Sequence, residues 1–386
     1  MHRFVWAVAL AACSGKASAP PDYFGKTPAP PGPLAKLVPG QPMTAAQTAV
    51  GGTLSPRMDD RSRSVPDCVL SDIPSGGADV LLWATCAPGV TPTVVGEVSV
   101  RVKHGSALAS PDVGKTLAGA WGPPTDGTHP FAAWTGGQWF AEALIGKQED
   151  VVTFVPLATA ETFGGARKAS LPAGLAVLKP GMNTSDVERM TPAKHGFGLL
   201  PAEHLSYGIL NADGPEGLTG VDVTLHPRDA AVIRTAWGAP DGTTSGKRPS
   251  EFWLDAASGW RADLVTTTGA TPSVELKYRA YAPLASLFAL APDGTQLAVA
   301  APLIGQPLAS MDKVREGHMM LKATEFSTLG YLETEPGPHD TIGSVTLVLT
   351  YSDAAAGAAM KAAFDGKLGA NMTATDDGHA WRISVR

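Results

Sequence analysis

Charge is scarce in this chain. Only 17% of its 386 residues are charged and the net charge is −6, with no block of Lys and Arg. That excludes the electrostatic footprint of a nucleic-acid binder. Linear catalytic signatures are missing as well: no His-Glu-x-x-His pair and no Gly-x-Ser-x-Gly elbow occurs, so the common zinc-protease and hydrolase motifs are absent. Cysteine is limited to three residues, too few for a disulfide-dense scaffold. No pattern points to a cofactor. What the chain has instead is 44% hydrophobic residues, 43 glycines and 33 prolines. Glycine and proline make about a fifth of it, against roughly 12% in average usage, which implies a buried core built from short strands and many turns.

The N-terminus reads as a targeting segment. Arg3 precedes a nine-residue apolar run, Phe4 to Ala12. As a helix that run spans about 14 Å at ~1.5 Å per residue, less than half of a ~30 Å bilayer core, so residues 1–12 read as a signal peptide. Leu10-Ala11-Ala12-Cys13 follows, and then Ser14-Gly15. This resembles the lipobox of bacterial lipoproteins, and the resemblance implies a diacylglycerol on the Cys13 thiol, hence attachment to the membrane through a lipid anchor. Ser14, where an Asp would imply inner-membrane retention in that family, implies the outer membrane. The other reading is an ordinary secretory signal cut after Ala17-Ser18-Ala19. Between Ala19 and Pro42 lie eight prolines, so residues 13–33 read as an extended tether.

Cys68 and Cys86 lie 18 positions apart. In an oxidising compartment they are expected to form a disulfide. Two sulfurs without nearby His partners make a poor zinc site, because structural zinc wants four ligands.

The body of the chain recurs with a period near 120 residues. Trp139, Trp260 and Trp381 are each 121 apart and open WFAEALI, WRADLV and WRISV. Val98-Val100-Val102, Val221-Val223-Leu225 and Val345-Leu347-Leu349 lie upstream, and their alternation predicts half-buried strands. Between the strands of each copy stands a small-residue helix led by Asp: Asp112 to Trp121, Asp229 to Trp237 and Asp353 to Phe364. Asp is a favoured N-cap. Gly136-Gly137, Ser258-Gly259 and Asp377-Gly378 supply hairpin turns. The expected fold is α+β: three tandem repeats, each helix-strand-strand-helix-strand-strand with an antiparallel sheet, over residues 34–165, 166–292 and 293–386.

Pro180-Gly181-Met182-x-x-x-Asp186-Val187 and Trp237-Gly238-x-Pro240, with Trp253 on the next strand, resemble the small lipoproteins of outer-membrane assembly and the related beta-lactamase-inhibitor-like domains. That resemblance implies a non-catalytic, protein-binding module and assigns no functional residue.

Candidate sites are few. Gly114-Lys115-Thr116 lacks the Gly that a phosphate loop needs five positions before its final Gly, where Ala109 stands. His195, His204 and Glu203 share one loop region and read as solvated or locally bonded rather than as metal ligands. Asp376-Asp377-Gly378 is half of a calcium loop and reads as a turn. Metal is therefore not expected. Aromatic residues on sheets can stack on sugars or anchor proteins, and Trp134 and Trp253 are the candidate binding residues. The leading reading is a binding protein or scaffold for a protein partner in the envelope. The alternatives are an exported hydrolase with residues converging from different modules, and a carbohydrate-binding protein using the sheet tryptophans.

Overall fold

The structure is a computed structural model. It describes residues 24–58, 64–75, 80–87, 92–103, 113–124, 131–145, 149–191, 197–199, 205–210, 217–226, 228–245, 248–267, 273–291, 297–309, 319–327, 330–369 and 371–386. The fold is α+β, with few helices and three antiparallel sheets. The chain divides into two compact units at Leu157/Ala158; the first holds one sheet and the second holds two.

In the first unit, α1 (Met43–Val50) precedes β1 (Thr53–Met58), β2 (Ser64–Ser71), β3 (Val80–Cys86) and β4 (Val95–Lys103). Then come α2 (Val113–Trp121), β5 (Phe131–Gly136), β6 (Trp139–Ile145) and β7 (Glu149–Pro156). The sheet order is β1-β2-β3-β4-β7-β6-β5, so the meander after the helix returns to pair its last strand with β4. Alternation along β3 and β4 buries Val80, Leu82, Ala84, Val98, Val100 and Val102. They form one core with Met43, Ala46, Leu117, Trp134 and Phe154. The β1 and β2 strands escape sequence reasoning because Pro56 and Pro66 argue against strand. Pro56 sits where the register between the two strands shifts, a position that tolerates the missing ladder donor.

After two 3-10 turns (Glu161–Phe163 and Ala173–Leu175), the second unit's first α-helix is α3 (Thr184–Met190), capped by Asn183, whose side chain accepts from Asp186 N–H at 2.9 Å. Then follow β8 (Phe197–Leu199), β9 (Ser206–Leu210), β10 (Gly220–Leu225) and α4 (Asp229–Trp237). β11 (Gly242–Thr244), β12 (Ser250–Asp255), β13 (Trp260–Thr267) and β14 (Ser273–Ala280) complete the sheet, whose order is β11-β12-β13-β14-β10-β9-β8. Asp229 does not cap α4 from outside. It lies within the helix, buried, and its carboxylate accepts from His226 N–H at 3.0 Å.

The remaining elements are α5 (Leu284–Leu287), β15 (Met319–Leu321), β16 (Gly330–Pro336), β17 (Ile342–Thr350), α6 (Ala354–Phe364), β18 (Met372–Asp376) and β19 (Ala380–Val385). Here Asp353 is the N-cap, accepting from Ala356 N–H at 2.9 Å. This sheet has five strands in the order β15-β16-β17-β19-β18. Only two strands follow the helix, and the last of them, β19, pairs directly with β17. On the other sheets that place belongs to β7 and β14, so the strand carrying Trp381 takes their place and not that of the strands carrying Trp139 and Trp260. Equal spacing in sequence therefore does not mean equal position in the sheet.

Candidate functional site

The candidate tryptophans belong to the core. Trp134 is 2% exposed and Trp253 is fully buried, so neither offers a ring face to a sugar or a partner; this corrects their reading as binding residues. Each closes over the C-terminal end of the preceding helix. Trp134 packs edge-to-face on Trp121 at 5.4 Å, and its Nε1–H donates to Gly122 O at 3.0 Å. Trp253 packs on Trp237 at 5.4 Å and donates to Gly238 O at 3.1 Å. Gly122 and Gly238 adopt positive φ (84° and 71°), the helix-stop conformation that glycine permits. The indole satisfies a carbonyl that the terminating helix leaves without an intrahelical partner.

The expected disulfide is present: Cys68 and Cys86 are bonded, with a Cα–Cα distance of 4.7 Å. It stands beside the two cross-strand pairs Val69–Thr85 and Leu70–Ala84 that join β2 to β3. Cys13, His195, Glu203 and His204 lie outside the described residues. Gly114, Lys115 and Thr116 lie inside the first turn of α2, as a helix start and not as a loop. No group of three or more metal-ligating side chains occurs among the described residues. No helix among them is long and apolar enough to cross a membrane.

Asp376-Asp377-Gly378 is turn chemistry. Asp377 accepts from the amides of His379 and Ala380 at 2.9 and 2.7 Å, and these bonds hold its carboxyl below the usual range. Asp376 accepts from Tyr351 Oη–H at 2.6 Å, which pushes the phenol up to about 12.

A buried polar cluster on β13 was not anticipated. Arg261 and Asp263 on β13 alternate with Trp260, Ala262 and Leu264. In the structure Arg261 is 1% exposed and Asp263 is buried. Arg261 Nε and Nη2 donate to both oxygens of Asp263 at 2.9 and 2.8 Å, and Nη1 donates to Thr324 O at 2.6 Å. The guanidinium lies 3.9 Å over the Phe252 ring. The cover is the segment around Ala323 and Thr324, which reaches β14 through Ala323 N–H to Ala280 O at 2.7 Å. Ser250 Oγ–H also donates to Asp263 at 3.3 Å. The pair is thus bonded to itself, to β12 and to that segment, and the cluster fastens two sheets of the second unit. Sequence offered no signal for it, because the covering residues lie about 60 positions downstream.

A more open surface lies on the first sheet. Leu81, Arg101, Val151 and Leu144 stand side by side across β3, β4, β7 and β6 on one face. Leu81 is 44% and Leu144 is 38% exposed. The Arg101 guanidinium lies 5.2 Å over the Trp83 ring and 3.4 Å from Glu149. No protein-family model, curated protein or solved structure matches this chain.

Proposed function

We propose that this chain is an outer-membrane lipoprotein anchored through Cys13, which holds a protein partner and does not turn over a substrate. The observation that carries the reading is the Cys68–Cys86 bond. It fits an exported protein in an oxidising compartment, and it leaves the lipobox cysteine as the third of the three. The finer architecture belongs to the same reading: three tandem copies of one α+β module. Its support is that each sheet carries a helix between a leading set of strands and a returning hairpin or meander, with a tryptophan N–H given to a carbonyl at or within that helix. The buried ionisable pair is structural, and the candidate tryptophans are enclosed. Both observations favour a scaffold over sugar stacking. The exposed apolar row on the first sheet is of the kind that marks protein contact.

Two measurements test the reading together. Labelled palmitate is expected in the wild-type chain and absent from Cys13→Ala. Crosslinking in envelope fractions is expected to trap a defined partner on the lipidated chain. Equal labelling of both forms contradicts the anchor, and turnover of a substrate panel without any partner contradicts the scaffold.

A further inference from the structure

Among the described residues the third sheet has a free edge where the first and second sheets have another strand. On those sheets the strand lying two places from β4 or β10 is covered: β6 by β5, and β13 by β12. On the third sheet that place belongs to β18, which pairs with β19 on one side only. The hydrogen-bond parity of β18 follows from two bonds at its ends. Arg386 N–H donates to Asn371 O, and Asp377 N–H donates to Ala380 O. In an antiparallel ladder this directs residues 371, 373, 375 and 377 toward β19 and leaves the main-chain groups of Ala374 and Asp376 pointing outward. Among the described residues no backbone bond reaches either outward amide.

The other five sheet edges are protected. β8, β11 and β15 are three residues long. β1 carries Pro56 and a register shift. β5 ends at Gly136, against which Pro28 packs. β18 has five residues in unbroken register, with no proline, lysine or bulge, so the usual defences against strand addition are lacking.

We propose that the β18 edge receives an extended segment of the partner protein, which adds antiparallel as a sixth strand of the third sheet. The inference rests on the protein-binding reading above and locates the contact. Two features define the segment. Half-buried Ala374 and Leu368 border the core beside β18, so the incoming strand needs a bulky apolar side chain on its inward face. The equivalent strands β5 and β12 place Trp134 and Trp253 there. Exposed Asp376 closes one end of β18, so an antiparallel strand needs a basic residue near its N-terminal end. Main-chain bonds supply the affinity and these alternate contacts the selectivity.

The test uses a labelled synthetic peptide with the sequence of residues 248–255, RPSEFWLD, which has a basic start and an inward aromatic. It is expected to bind the full chain and to slow hydrogen exchange at Ala374 and Asp376. Ala374→Pro removes an outward N–H and spares the ladder to β19, so an unchanged melting temperature with at least tenfold weaker peptide binding is expected. Asp376→Lys leaves the backbone intact and is expected to weaken binding several-fold. No peptide binding, or equal binding by wild type and Ala374→Pro, overturns the proposal. Dimerisation of the chain through β18 without peptide binding also overturns it. If the lipidated chain captures its partner equally well with Ala374→Pro, this edge is refuted while the scaffold reading stands.

Discussion

On the second sheet, the ring that closes over α4 comes from β12: Trp253 packs on Trp237 and gives its N–H to Gly238 O. On the third sheet the ring comes from β19, the strand beside β17. Trp381 packs on Phe364 at 5.2 Å and gives its N–H to Gly357 O at 2.8 Å. Gly357 lies inside α6, where its carbonyl already serves the helix, whereas Gly238 lies just past the end of α4. The two arrangements meet the same need, an aromatic lid over a small-residue helix, with strands at different places in the sheet: β12 lies three strands from β10, and β19 lies next to β17. Because β19 supplies the lid, the third sheet keeps its core without an outer strand, and β18 becomes an edge.

The comparison can be broken most forcefully at the point where the two sheets are fastened. Asp263→Ala leaves the buried Arg261 guanidinium without its partner and is expected to cost about 3–5 kcal/mol. Chemical denaturation should lower the stability of the second and third sheets together; unchanged stability would mean that the pair is not closed in solution. Next in size is the disulfide, which the second and third sheets lack among their described residues. Cys68→Ala with Cys86→Ala is expected to cost roughly 3 kcal/mol for a loop of this length, measured as a fall in the melting temperature of the first unit.

The lids themselves come third. Trp253→Phe keeps a ring and orphans Gly238 O, at about 1–3 kcal/mol for a buried acceptor. Trp381→Phe removes a bond to a carbonyl that retains its helical partner, so its loss should be the smaller of the two in parallel unfolding curves. Equal losses would show that the two sockets do not differ.

Smallest is the pH response of the hairpins, where the two sheets agree. Burial raises the Asp255 carboxyl, but bonds from Ser258, Arg167 and Ala257 outweigh it and lower the group overall. Bonds from the amides of His379 and Ala380 lower Asp377. A depressed folded value stabilises above the ordinary carboxylate range and is lost as pH falls through the folded value. Asp377→Asn should therefore flatten the acid limb of the stability curve. Tyr351 has the opposite sign. Its folded value of about 12 lies above the ordinary 10, so its contribution persists below pH 10 and is lost as pH rises toward 12; Tyr351→Phe should remove that alkaline step from an ultraviolet titration.

What could be read from sequence was local. The cap at Asp353, the hairpin glycines, the alternation of β4, β10 and β17 and the Cys68–Cys86 pair all depend on residues near one another or on a simple count. What could not be read depends on distant chain. Arg261 and Asp263 are buried because the segment at Thr324 covers them. Trp134 and Trp253 are enclosed because each strand turns its ring toward the end of the helix that precedes it. The strand of Trp381 changes place because only two described strands follow α6 in the third sheet, and a Trp spacing of 121 carries no trace of that.

The central structural claim, that the third sheet has an open edge at β18 where the second is covered, is tested most directly by residue-resolved hydrogen exchange. On β13 the amides of Ala262 and Leu264 face β12. This follows from the bonds of Gly259 N–H to Asp255 O and Tyr281 N–H to Gly259 O. They should be strongly protected, while Ala374 and Asp376 on β18 exchange close to the rate of exposed amides. Protection of Ala374 equal to that of Ala262 would show the edge to be covered and would contradict the account.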